Sequence, residues 1–213
     1  LAPLMTSDIT TKGAFRVLSE TVGLINIPRI RAMGTVGGDV CMSAETDLPT
    51  SLMALDGKVV IANAAKTRTL SLEEFYLGYL STALSPDEMV TEIQVPYFPP
   101  KTGAGFHKLE RRAVDLPIVN AAARVTLGTD DKCKDVKIVL GCVTFPPLRA
   151  DKAEKLLMGN KLDREIIAKA AETMADIECI TDTRATGELR QKWGKVAVER
   201  ALSKAYELAK EGG

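Results

Sequence analysis

The sequence has little with which to build a metal or histidine-based catalytic centre. His107 is its single histidine, and Cys41, Cys133, Cys142 and Cys179 are so far apart that no two form a CxxC pair. A catalytic triad, a zinc ribbon or an iron–sulfur cluster needs closely spaced ligands that are not there. The four thiols read instead as free, buried cysteines of a cytosolic protein. Net charge is lacking too: 28 Lys and Arg balance 28 Asp and Glu, which leaves no field to draw nucleic acid or an anionic membrane. No apolar run approaches the ~18 residues of a transmembrane span. The opening LAPLMTSDITTKGAF has neither the basic start nor the apolar stretch of a signal peptide. A cytoplasmic location is therefore expected, with no nucleic-acid partner and no transmembrane segment. The chain opens on Leu1 rather than Met, as a processed or shortened polypeptide does.

What remains is ordinary for a globular protein: 213 residues, 46% hydrophobic and 26% charged. That length suits one large or two small domains burying roughly two-thirds to three-quarters of the extended surface. Residues 14–22, AFRVLSETV, have helical spacing, and the glycine-dense stretch INIPRIRAMGTVGGDVCMS reads as a loop entered through Pro28. Asp47 stands before LPTSLMALDG, with Pro49 in a first turn and Gly57 beyond the last apolar position, the start and stop signals of a helix. KVVIAN and TRTL predict short strands, SLEEFYLGYL a helix opened by Ser71, and MVTEIQVPYF a strand ended by Pro96. PYFPPKTGAG, residues 96–105, is the sharpest break in composition and the candidate linker. Beyond it GFHKLERR, NAAARVTLG and DVKIVLGCV predict an antiparallel meander. Helices follow: RADKAEKLLMG, then DREIIAKAAETMADI capped by Asp163, then a last helix with Leu189, Trp193, Val196, Ala197, Ala201, Ala205 and Leu208 along one stripe. Strands first and helices later make an α+β protein, with domains expected over 1–100 and 101–213.

The segment Gly34-Thr35-Val36-Gly37-Gly38-Asp39 has the most chemical content. Glycines let a ligand approach backbone amides, successive N–H groups form an anion-binding concavity, and Thr35 adds a hydroxyl. It is neither a GxGxxG dinucleotide loop nor a Walker loop. Taken alone, two readings stand: a tight glycine turn, or a seat for a phosphate-bearing cofactor.

The wider context resembles a known family. IRAMGTVGGDVCMSAETDLPTSLMALDGKV is similar to the second flavin motif of the FAD-binding medium subunits of molybdenum hydroxylases, the xanthine dehydrogenase and carbon monoxide dehydrogenase kind. Pro28, Ile30 and Arg31 match its lead-in, Ala32 replaces the usual Asn, and Asp39 is like the carbon monoxide dehydrogenase branch. SLEEFYLGYLSTALSPDEMVTEIQVP, FHKLERRAVDLPIVNAAARV, PLRADKAEKLLMGNKLD and DTRATGELRQKWGKVAVERAL continue the likeness in order to the end. The resemblance implies the second subdomain of a PCMH-type FAD-binding domain, then the flavoprotein C-terminal domain of antiparallel sheet plus helices.

The same resemblance implies that Thr35, Val36, Gly37, Gly38 and Asp39 contact FAD. It places Asp47 on the acid of an Asp-Leu-Pro element, Val90 beside the isoalloxazine, and Lys108 at the flavin edge. Each has a plainer alternative: Asp47 as a helix cap, Val90 as strand core, Lys108 as a solvated strand lysine. Arg111, Arg112 and Asp115 read as a structural ion cluster in preference to a subunit contact, and Met33 and Met42, flanking the GTVGGD loop, as either an exposed partner surface or buried core. No catalytic residue is required of this chain. The implied partners are a molybdopterin-binding large subunit and an iron–sulfur small subunit, with electrons leaving through the flavin to an external acceptor. Relatives also carry an earlier Ala-Gly-Gly type loop that nothing here matches, so FAD binding by these residues is expected to be weak or absent. The rival reading is a cofactor-free binding or assembly module with a degenerate flavin site.

Overall fold

A computed structural model describes residues 1–25, 27–42, 45–113 and 115–212. Asn26, Ser43, Ala44 and Val114, which fall within the motifs quoted above, lie outside the described residues. After two short 3₁₀ turns, α1 (Arg16–Gly23) buries Val17, Leu18, Thr21 and Val22 on one face. The glycine-dense stretch departs from its reading as a loop: it contains two short helices, α2 (Pro28–Met33) and α3 (Val36–Met42). Pro28 occupies the first turn of α2, where its missing N–H costs nothing. α3 starts because the Thr35 hydroxyl accepts from the Gly38 N–H at 2.9 Å and the Thr35 carbonyl from the Asp39 N–H. α4 (Leu48–Ala54) follows, every residue of it buried.

β1 (Lys58–Ala62) lies between β2 (Thr67–Ser71) and, later, β5 (Met89–Gln94), antiparallel to both. The helix expected over SLEEFYLGYL is only α5 (Leu72–Phe75), opened by a Ser71–Glu74 capping box. Tyr76 leaves helical geometry, packs its ring on Phe75 at 5.3 Å, and enters a hairpin of β3 (Tyr76–Gly78) and β4 (Ser81–Thr82). The predicted meander is present as β6 (Thr102–Leu109), β7 (Val119–Leu127), β8 (Cys133–Gly141) and the short β9 (Leu148–Arg149). α6 (Asp151–Leu157), α7 (Arg164–Glu172) with its Asp163 cap, and the 24-residue α8 (Gly187–Lys210) complete the chain.

The four-stranded sheet is buried on both faces, and its alternation decides what each face does. Ala121, Ala123 and Val125 of β7, with Ile138 and Leu140 of β8, pack under the helices against Leu157, Ile167, Ala201 and Leu202. The intervening residues Ala104, Phe106, Ala122 and Val139 turn to the first half of the chain and join Leu48, Leu52, Leu55 and Ile61. Both sides are covered, so β7 is buried at all nine positions.

α8 lies directly on β6: a Cβ at Gly103 or Gly105 would overlap the carbonyl oxygens of Ala205 or Ala201. Its buried face is Arg190, Gly194, Ala197, Val198, Ala201, Leu202, Ala205 and Ala209, rotated from the expected stripe. Leu189, Trp193, Val196 and Leu208 are only half-buried, because the closest approach selects small residues over large ones. The four cysteines are unpaired; Cys133 and Cys142 are buried, but Cys41 and Cys179 are only half-buried, less than expected.

Candidate functional site

The turn from Gly34 into α3 puts Thr35, Val36 and Gly37 at one end of a cavity of about 620 Å³. Phe15, Leu18 and the strand residues Val90 and Ile93 form apolar walls, with Thr91 and Glu92 also lining it. That size and lining suit an organic cofactor. Gly37 matters through what it leaves open: it lines the cavity, and a Cβ there would meet nothing within 4 Å, so no side chain shields its backbone. Thr35 is exposed and uses its oxygen to accept from Gly38, which leaves its hydroxyl hydrogen free to donate. Val90 is half-buried and lines the cavity. It is neither solvent-facing nor sealed core.

The other expected site residues gather around a second, smaller cavity of about 180 Å³, lined by Asp39, Thr46, Asp47 and Lys108 against Ile25 and Ile30. The candidate residues therefore divide between two cavities, and Gly38 lines neither. A Cβ on Gly38 would crowd Thr35 Oγ1 at 2.9 Å, so this glycine serves the cap.

Lys108 is not a solvated strand lysine. Its position in the β6 alternation, in phase with Ala104 and Phe106, turns it to the first half of the chain. There its Nζ stands 3.0 Å from Asp47 Oδ2, each side chain only 4% exposed. Asp47 makes no side-chain cap to α4, contrary to one of its two expected roles. Its carboxylate is taken up sideways: Oδ2 by Lys108 and Oδ1 by the Asn120 amide at 2.9 Å. Burial pushes the Asp47 carboxyl up from the ordinary value, against the pull of Lys108 and Asn120.

Asp39 is half-buried beside the same cavity, and its Oδ2 is buried without a hydrogen-bond partner. Burial, then the negative charge of Asp47, raise its pKa to about 7, although the Leu48 amide pulls the other way. A carboxyl so raised can be protonated, and so donate, close to neutral pH. Thr46 Oγ1, also lining this cavity, is a second buried atom lacking a partner. Unsatisfied buried polar atoms around a cavity fit a polar ligand edge. Arg112 pairs with Asp115 at 3.0 Å on the surface, as an ion cluster should. Met33 and Met42 are 76% and 53% exposed.

Two groups at or near the site were missed in the sequence. Asn120 and Thr50 are 0% and 1% exposed and hydrogen-bonded to each other at 2.9 Å. Their signal was a lone amide within the alanine-rich run VNAAARV and a pair of hydroxyls, Thr50 and Ser51, in the otherwise apolar LPTSLMAL. Deeper in the second half, Arg190 is fully buried, bonded to the carbonyls of Ile118 and Cys142 and, at 2.5 Å, to Asp182. Against the upward push of burial, the Arg184 and Ala185 amides and the Arg190 guanidinium hold Asp182 at about 2.

Residues 2–98 match the family described as FAD binding domain in molybdopterin dehydrogenase, and residues 104–205 the CO dehydrogenase flavoprotein C-terminal domain. The 6-hydroxypseudooxynicotine dehydrogenase complex subunit alpha of Paenarthrobacter nicotinovorans is 30% identical over 208 residues, 97% of this chain and 70% of that one. The carbon monoxide dehydrogenase medium chain of Afipia carboxidovorans is 33% identical over 199 residues, 91% of this chain and 68% of that one. Among solved structures, carbon monoxide dehydrogenase from Hydrogenophaga pseudoflava superposes with a TM-score of 0.90 at 30% identity, covering 97% of this chain and 72% of that one. Quinoline 2-oxidoreductase from Pseudomonas putida 86 gives 0.89 at 25% identity, covering 98% and 72%.

Proposed function

Because this chain belongs to the FAD-binding medium subunits of the molybdenum hydroxylases, we propose that its two cavities together cradle FAD as an electron relay. On this reading iron–sulfur clusters on a small subunit, fed by a molybdopterin-binding large subunit, deliver electrons that leave to an external acceptor. The observation that carries the cofactor assignment is Gly37, which lines the larger cavity and has open space where a side chain would stand. Bound FAD would supply the redox chemistry, and no acid or base of this chain is needed for it. Thr35 and the amides of Val36 and Gly37 would hold phosphate or hydroxyl oxygens, and Val90 would exclude water from one side of the ring. Lys108 would place a cation at the flavin edge, and Asp39 and Asp47 would accept or donate hydrogen bonds there.

Four further elements belong to this reading. Residues 1–100 and 101–213 are taken as two domains, supported by their separate sheets and by a core drawn wholly from residues beyond 100, although the other core takes Ala104, Phe106, Ala122 and Val139 from across the Pro/Gly linker. Met33 and Met42, exposed around α2 and α3, are taken as part of the face turned to the cluster-bearing subunit. A cytoplasmic setting is supported by four unpaired cysteines; among the described residues no helix is long and apolar enough to cross a membrane. Finally, these residues alone are expected to bind FAD weakly. They hold one of the two glycine-rich loops that the resemblance implies, and two or three charge-assisted hydrogen bonds fewer cost about 3–6 kcal/mol.

The test is to titrate FAD into the purified chain by flavin fluorescence, then into the chain with the family's N-terminal flavin subdomain fused in front. A gain of about two to four decades on fusion is expected. Submicromolar binding by the unfused chain would overturn the expectation of weakness. No gain on fusion would overturn the flavin assignment and favour a cofactor-free module.

A further inference from the structure

Register places three residues in one row across the four-stranded sheet: Lys108 on β6 opposite Asn120 on β7, and Asn120 opposite Gly141 on β8. The alternation turns this row toward Asp47 and α4, away from the helices. Asn120 sits at the centre, fully buried, and all of its bonding capacity is directed at one task. Its Nδ2 donates to Asp47 Oδ1 at 2.9 Å and to the Thr46 carbonyl at 3.2 Å, while its Oδ1 accepts from the Thr50 hydroxyl at 2.9 Å. The Asp47 carboxylate and the Thr46 carbonyl can only accept, so they require the amide nitrogen on their side and leave the amide oxygen to the Thr50 hydroxyl. Gly141 makes the space: a Cβ at that position would overlap both Asn120 Oδ1 and Thr50 Oγ1.

From this row we infer that Asn120 is a positioning residue, which orients the Asp47 carboxylate so that its other oxygen holds the Lys108 ammonium at the wall of the smaller cavity. The order of action is Thr50, Asn120, Asp47, Lys108. Asn120 does not line the cavity; it acts through the pair that does. A carboxylate left to turn freely would share its charge among several orientations, and the ammonium would follow it. Held by an amide on one oxygen, it presents the other in one direction, and the lysine has one of its three donors committed and a fixed place for the rest. The role assigned to the Lys108 cation rests on the flavin reading above. The coupling among the four side chains does not, and it can be measured in the protein without flavin.

The experiment is carbon- and nitrogen-detected NMR of the Asp47 carboxyl and Lys108 ammonium in the purified chain, titrated with pH, with Lys108→Arg and Asp47→Asn spectra providing the assignments. Asn120→Leu, which keeps volume but removes the amide, should move the Asp47 titration up by about 1–2 pH units, the worth of a hydrogen bond to a charged group. The Lys108 ammonium resonance should move as its partner is reoriented. Thr50→Val is the milder variant, in which the Asn120 amide keeps its bonds to Asp47 and Thr46 but loses the one that steadies its oxygen; a smaller shift in the same direction is expected. In the Asp47→Asn background, Thr50→Val should leave the Lys108 resonance where Asp47→Asn alone put it, since the chain of action is already cut. A purely structural role would lower the melting temperature of these variants without this dependence on Asp47. Well-dispersed, native-like spectra with an unmoved Asp47 titration and an unmoved Lys108 ammonium resonance in both Thr50→Val and Asn120→Leu would overturn the inference. So would a Thr50→Val shift of Lys108 that persists undiminished without the Asp47 carboxylate. Failure of FAD to bind in the fusion titration would remove the cofactor and leave these resonances untouched, so the two ideas fail separately.

Discussion

Arg124 Nη2 lies 2.7 Å from Asp56 Oδ2, joining the middle strand of one sheet to the turn after α4. The guanidinium, its side chain 5% exposed, also takes the Ala54 carbonyl at 3.1 Å, pairs with Asp135, and stacks 4.8 Å above the Phe98 ring. Lys137 adds a second cation, 2.8 Å from both Asp56 and Glu73. Arg124→Met should cost about 2–4 kcal/mol in chemical denaturation, because it leaves the Ala54 carbonyl unpaired and Asp56 with one cation fewer. A loss under ~0.5 kcal/mol would show that solvent replaces these contacts freely.

Asp56 itself adopts φ 54°, a region that costs an L residue roughly 1–2 kcal/mol and glycine almost nothing. Asp56→Ala and Asp56→Gly both lose the ion pairs, but only the first keeps a Cβ in that backbone geometry. The glycine variant should therefore be the more stable of the two by about 1 kcal/mol. Equal stabilities would mean that the turn relaxes when the pairs are gone.

Two glycines separate packing from ligand approach. Gly105→Ala drives a Cβ into the α8 backbone and should destabilise the protein by about 3 kcal/mol, read as a lower denaturation midpoint. Gly37→Val meets open space and should change stability by less than about 1 kcal/mol. In the fused protein the same Val should weaken FAD binding at least about tenfold, on the order of 1.4 kcal/mol. Unchanged FAD affinity would take Gly37 out of the cofactor site.

Asp39 supplies a pH dependence opposite to that of a salt-bridged carboxylate. Its folded pKa of about 7 lies above the ordinary value of 3.8. Below about pH 4 both folded and unfolded chains are protonated and the group is neutral in its effect. Between there and about pH 7 the unfolded chain ionises first, so stability falls as pH rises and the penalty is complete above about 7. Asp39→Asn should match the parent near pH 4 and exceed it at pH 8 by about 2–4 kcal/mol, as measured by denaturant midpoints. A parallel pH profile for the two proteins would show that Asp39 is solvated enough to ionise normally.

The sequence displayed most of what repeats and little of what occurs once. The meander, the Asp163 cap and the helix start at Ser71 were legible because alternation and capping are local. The glycine-rich segment was misread as loop because propensity disfavours glycine in helices, whereas the Thr35 cap and the α3 contacts outweigh it. Arg190 and Gly194 were invisible as the buried face of α8, since a charge and a missing side chain both look like solvent exposure until the Ile118 and Cys142 carbonyls and Met174 are brought opposite them. Likewise Lys108, Asp47 and Asn120 come from three distant segments, and only the sheet register makes them neighbours.

A sheet with two buried faces also makes the halves unequal creditors of each other. The first hundred residues lean Leu48, Leu52 and Leu55 on Phe106, Ala122 and Val139, so without the sheet they would show water a broad oily floor. The second hundred would uncover those same apolar residues, but interspersed with Lys108, Arg124 and Lys137, a mixed face that water can wet more readily. A protease that cuts the Pro/Gly connector near residue 100 should thus yield two fragments that co-elute under native conditions. Forced apart by denaturant and then returned to buffer, the C-terminal piece should stay dispersed while its partner aggregates.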